Sequence, residues 1–66
     1  MNNTIIKKTQ NYHIEVALND TGSLCYKIIN NDYKVVEVET YMLPQALKYI
    51  DDLEAGLQAI KDMEGE

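Results

Sequence analysis

The sequence has no arginine, tryptophan or phenylalanine, and only one cysteine, one histidine and one proline. Each scarcity removes a class of explanation. A lone Cys25 cannot form a disulfide within the chain. Cys25 and His13 together offer two soft ligands, where a closed structural zinc site takes four. Without arginine the chain lacks the side chain best suited to reading guanine edges and clamping phosphates, so direct nucleic-acid binding is disfavoured. No run approaches the roughly 20 apolar residues of a membrane-spanning helix. Met1-Asn2-Asn3-Thr4 opens no apolar segment of the kind a secretory leader needs. An unpaired cysteine suits a reducing compartment. The expectation is a cytoplasmic protein with no membrane contact, no metal and no cofactor.

What is present begins with length. Sixty-six residues make one domain, residues 1–66. A domain of this size buries only about 60% of the surface its unfolded chain exposes, and small domains commonly add disulfides, metals or a partner subunit. With the first two set aside, self-association as a homodimer is expected. The formal charge is −5 and unevenly placed. Residues 1–36 carry four lysines against three carboxylates, a net of +1, whereas residues 37–66 carry two lysines against eight carboxylates, a net of −6.

The chain reads as an α+β fold, an antiparallel β-meander followed by one amphipathic helix. Tyr12 to Leu18 alternates strictly, the period of a half-buried strand. Leu24 to Ile29 is rich in strand formers, and Tyr33 to Tyr41 alternates again through Val36-Glu37-Val38-Glu39. These give three strands within a meander at 12–41. Residues 1–10 form either an arm or an extra strand, with Thr4 to Lys8 as the segment that would add a fourth. Asn19-Asp20-Thr21-Gly22 is turn chemistry. A three-residue loop at Asp20-Thr21-Gly22, with Gly22 left-handed, sets Leu18 opposite Leu24, Val16 opposite Tyr26 and Ile14 opposite Ile28. A three-residue loop at Asn30-Asn31-Asp32 sets Tyr26 opposite Val36 and Leu24 opposite Val38. On the other face Glu15 falls opposite Lys27, an expected cross-strand ion pair. Ile29, Tyr33 and Val35 share that face, which has no obvious cover within the chain.

The helix is expected at 44–62, with Pro44 in its first turn. Leu43, Ala46, Leu47, Ile50, Leu53, Leu57 and Ile60 fill one stripe, which should lie on the inner face of the sheet. The opposite stripe is acidic at Asp51, Asp52 and Asp62. Asp52, Ala55, Gly56 and Ala59 form a ridge of small residues that would let a second helix approach. Glu64-Gly65-Glu66 is expected to fray.

No set of residues converges on chemistry. His13 alternates outward beside Glu15 and reads as a surface histidine; its register neighbour is Ile29, too far along the strand from Cys25 for a Cys–His pair. Cys25 reads as a small semi-buried side chain. Among the five tyrosines, Tyr12 and Tyr26 belong to the core, Tyr33 and Tyr41 point outward, and Tyr49 borders the helix stripe. Outward tyrosines suit a protein interface, and stacking on nucleic-acid bases is the competing use. The acidic helix is read plainly as a solvated face. Its sharper reading is a surface that presents phosphate-like charge to a basic pocket.

The leading expectation is therefore a small, non-enzymatic regulatory or inhibitory protein that binds a protein partner with a basic surface. A phage- or mobile-element-type inhibitor that blocks a nucleic-acid-binding surface is its specific form. The residues expected to carry the contact are Tyr33, Val35, Glu37, Tyr41, Asp51, Asp52, Ala55, Ala59 and Asp62. Two alternatives stand beside it: a nucleic-acid-binding module using Lys7, Lys8, Lys27 and Lys34 with the tyrosines, and an antitoxin-like partner of a two-protein module.

Overall fold

The computed structural model describes residues 4–64, without the side chain of Glu64. Four strands, β1 (Thr4–Lys8), β2 (Tyr12–Leu18), β3 (Leu24–Asn30) and β4 (Val36–Thr40), precede one helix, α1 (Leu43–Glu64). The strands form one antiparallel sheet in sequence order. The α+β meander is as expected, and Thr4–Lys8 supplies the fourth strand. The frayed end expected at 64–66 lies outside the described residues, except that the backbone of Glu64 is still helical.

The β2–β3 hairpin adopts the expected register. Leu18 pairs with Leu24, Val16 with Tyr26, Ile14 with Ile28 and Glu15 with Lys27. Asn19 N–H donates to Ser23 O at 2.9 Å, closing a three-residue loop in which Gly22 takes φ 83°. Asn19 Oδ1 accepts from the backbone N–H of Thr21 and of Ser23, so the turn is held by its own first residue.

The β3–β4 hairpin does not adopt the expected register. Tyr26 faces Thr40 and Ile28 faces Val38, and Ile29 faces Val36 across a bulge that leaves Glu37 unpaired. The loop has four residues, Asn31 to Lys34, because Asn30 N–H donates to Val35 O at 2.9 Å. Asn30 Oδ1 accepts from Asp32 N–H and Tyr33 N–H. The left-handed residue is Lys34, at φ 60°, not an Asn or Asp. Parity survives the four-residue slip, so Val38 still faces inward.

Helix α1 crosses the inner face of β2, β3 and β4. The core consists of Tyr12, Ile14, Ile28, Ala46 and Ile50, flanked by Tyr26, Val38, Leu53 and Leu57. Burial pushes the Tyr12 hydroxyl above its ordinary pKa, helped by the nearby Glu37 and Glu54 carboxylates. At the start of α1, Thr40 Oγ1 donates to Gln45 Oε1 at 2.9 Å and Met42 O accepts the first helical bond, from Ala46 N–H.

Two features of the packing matter for function. On the outer face, His13, Cys25 and Ile29 are buried although no second layer of secondary structure lies there among the described residues. Along the long axis, helix and sheet are offset. Ala46 and Ile50 lie over Ile14 and Ile28, and Glu54 reaches the β1–β2 turn, so α1 runs toward the Tyr12 end of the sheet and away from the β2–β3 loop. The molecule is accordingly long, 48 × 21 × 16 Å.

Candidate interaction surfaces

Two polar clusters fix the Tyr12 end of the sheet. In the first, Glu54 on α1 grips the β1–β2 turn: Asn11 N–H donates to Oε2 at 2.8 Å, Asn11 Nδ2 donates to Oε1 at 2.7 Å, and the Thr9 hydroxyl also meets Oε2. Burial of Glu54 opposes ionisation. The bonds from Thr9 and Asn11, with the charge of Lys61, outweigh it, so the Glu54 carboxyl lies below its ordinary value.

In the second cluster His13 is the hub, and it corrects the surface position expected for it. Its exposure is 6%. Nδ1 lies 2.6 Å from Asn31 Oδ1 and Nε2 lies 2.7 Å from Glu15 Oε2. The Asn31 amide nitrogen faces the carbonyls of Thr9, Gln10 and Tyr12, which leaves its oxygen for the ring. Both ring nitrogens therefore lie within hydrogen-bond distance of a side-chain oxygen. The arrangement is a buried clamp between β2 and the β3–β4 loop, closed on both sides by protein groups. Cys25, expected to be semi-buried, is fully buried. Among the described residues no three His, Cys, Asp or Glu side chains are grouped to hold a metal ion.

All nine residues expected at a partner surface are exposed. The structure does not gather them into one patch. Tyr33 and Val35 lie in and beside the β3–β4 loop, Glu37 is the bulged residue of β4, and Tyr41 sits in the β4–α1 connection. Asp51, Asp52, Ala55, Ala59 and Asp62 lie on the solvent side of α1, where a Cβ added at Gly56 would meet nothing within 4 Å. Of the four lysines in the nucleic-acid reading, Lys7 stands 4.0 Å from Asp51 and Lys27 stands 3.9 Å from Glu39. Glu15, the partner expected for Lys27, stands opposite it in register and also meets His13.

Sequence reasoning missed the surfaces created by the offset. Beyond the start of α1 the inner face of the β2–β3 hairpin continues without cover, with Leu18 and Leu24 exposed by 55% and 54%. It forms an open concavity of about 730 Å³ lined by Asn19, Thr21, Ser23, Leu24, Tyr26 and Tyr41. The polar rim is committed to the turn itself, because Asn19 Oδ1 accepts from both Thr21 and Ser23. What remains to receive a ligand is an apolar floor with two tyrosines. At the other end, Ile60 and Met63 are exposed by 53% and 76% on the last two turns of α1. The signal that could have located both ends was length: a helix of 22 residues outruns the few residues of inner face left between β4 and the β1–β2 turn.

No helix among the described residues is long and apolar enough to cross a membrane. Set against protein-family models, curated protein sequences and solved structures, the chain matches none.

Proposed function

We propose that this chain is a small, non-enzymatic binding protein that acts by docking on another protein with a basic surface. The observation that carries the reading is the solvent side of α1, where Asp51, Asp52 and Asp62 stand exposed along one rigid element. Lys7 approaches only Asp51, at 4.0 Å, and is itself partly exposed, and Lys48 and Lys61 are the only cations on α1 against its five carboxylates, Asp51, Asp52, Glu54, Asp62 and Glu64. Carboxylates on a helix mimic the spacing and sign of a phosphate backbone and steer a basic partner at long range. Ala55 and Ala59 between them permit close approach. Blocking a nucleic-acid-binding surface, in the manner of a phage- or mobile-element-type inhibitor, is the specific activity this suggests, and the free Cys25 suits a cytoplasmic setting.

The test is charge reversal at Asp51, Asp52 and Asp62 to lysine. Immobilised wild-type chain is expected to retain a basic partner from host lysate at low salt and release it at high salt. The triple variant, with an unchanged circular dichroism spectrum, is expected to retain none. Equal retention by both chains refutes the reading. A gel shift with duplex or single-stranded nucleic acid, weakening as salt rises, would support the lysine-based alternative instead.

A further inference from the structure

We propose that two copies of this chain associate reciprocally, the last two turns of α1 in each copy seating Ile60 and Met63 in the open end of the other copy's sheet, against Leu18, Leu24, Tyr26 and Tyr41. The inference does not depend on the proposed function, because it rests on apolar burial and not on the carboxylates, although Asp62 lies on the same turns.

The two exposed surfaces are the unused halves of one core. The inner face begins with Tyr12 and Ile14, which are buried, and ends with Leu18 and Leu24, which are not. The helix stripe is buried at Ala46 and Ile50, partly exposed at Leu43 and Leu47 along its edge, and most exposed at its end, Ile60. What the first half of the sheet accepts is this stripe of α1. What the second half lacks is the same kind of element, and the only free length of it described is the end of α1 in another copy. The surplus lies at opposite ends of a 48 Å body. Two bodies laid side by side and antiparallel therefore bring each helix end to a hairpin face, about one two-fold axis, and both contacts close at once.

Size supports a second copy as the occupant. A compact chain of this length has a radius of gyration of about 11 Å, and one of twice the length about 14 Å; the value here is 13.0 Å. A folded monomer of 7.6 kDa exposes about 4300 Å², whereas this chain exposes 4809 Å². A standard interface removes about 800 Å² from each partner, enough to absorb that excess. Charge does not drive the pairing: the only charged residue from Val16 to Tyr26 is Asp20, and the projecting turns carry Lys61 with Asp62 and Glu64, so apolar burial must hold the contact.

Sedimentation equilibrium over about 1–500 μM, a range that brackets micromolar association, tests the proposal. Wild-type chain is expected to reach twice the mass of 7.6 kDa. A helix variant (Ile60→Lys with Met63→Lys) and a hairpin variant (Leu18→Lys with Leu24→Lys) should each weaken association at least about tenfold, the change that loss of one buried aliphatic contact supports. All four positions are exposed, so unchanged melting of the dilute variants establishes that they fold; Met63→Lys alone serves if either double variant does not. Mixing the two variants is the decisive step. Each variant alone has no intact contact with itself, but a mixed pair keeps one, so the mixture should associate more tightly than either component. A wild-type chain that stays monomeric throughout overturns the proposal, also where its hairpin face is found to bind a different protein. So does a dimer indifferent to both variants, or a mixture no tighter than its parts.

Discussion

Single residues carry several of the local decisions, and two of them are set by left-handed backbone. Gly22 sits at φ 83° with open space around it. Gly22→Ala therefore meets no clash, only the conformational cost of φ > 0, and should lower unfolding stability by about 1–2 kcal/mol in urea titrations. Lys34 already bears that cost at φ 60°. Lys34→Gly removes it and adds some unfolded-chain entropy, for a net gain of about 0.5–1 kcal/mol in the same assay. Opposite signs at two loops would confirm that both hairpins are closed as described. Glu54 makes a different kind of decision. Its carboxylate accepts from Asn11 N–H, Asn11 Nδ2 and Thr9, and its folded pKa lies below the ordinary 4.5. A group depressed on folding contributes stability that is present above its unfolded pKa and lost as pH falls through the folded value. Glu54→Ala should cost about 2 kcal/mol at pH 7, given charge-assisted bonds to a partly buried acceptor. The difference between wild type and variant should shrink as acid denaturation curves are taken down through and below pH 4.5; a difference that stays constant would contradict the shift.

At the scale of elements, alternation made the faces of the strands legible and turn chemistry made one register legible. Asn19-Asp20-Thr21-Gly22 allows few loops, so the β2–β3 pairing followed. Asn30-Asn31-Asp32 looks equally informative but is not, because Asn30 uses its side chain to start a longer loop and ends up inside β3. Beyond the bulge, a slip of four residues keeps Val38 and Thr40 on their faces, so periodicity cannot detect it. The bulge at Glu37 then moves Val36 opposite Ile29, a displacement with no sequence signature. The buried state of His13 escaped for a related reason: its partner Asn31 belongs to that longer loop. The helix, by contrast, was readable in both extent and stripe. What its stripe could not show is where the sheet beneath it ends. Gly56 offers a clean test of the exposed side of α1. With nothing within 4 Å of an added Cβ, Gly56→Ala should gain helix propensity, about 0.8–1 kcal/mol, seen as a raised midpoint in denaturant. A loss instead would mean that this ridge is covered in solution.

For the whole molecule, the two proposals make opposite claims about salt, and this separates them without any mutation. Each copy carries a formal −5, so two copies repel at long range, and the reciprocal contact must work against that repulsion with apolar burial. Raising ionic strength from about 0.01 M to 0.15 M shortens the screening length from roughly 30 Å to 8 Å, less than the 48 Å span over which the charges are spread. Self-association should therefore tighten with salt. Docking of the acidic helix on a basic partner is driven by attraction between unlike charges and should weaken over the same range. One series of sedimentation runs on the isolated chain and one series of partner-binding isotherms, at matched salt, reads both slopes. Opposite signs would place the apolar ends of the molecule in one interface and its acidic helix in another. Weakening of self-association with salt would instead mean that charge pairs such as Lys61 with Asp20, rather than Ile60 and Met63 on Leu18 and Leu24, hold the copies together.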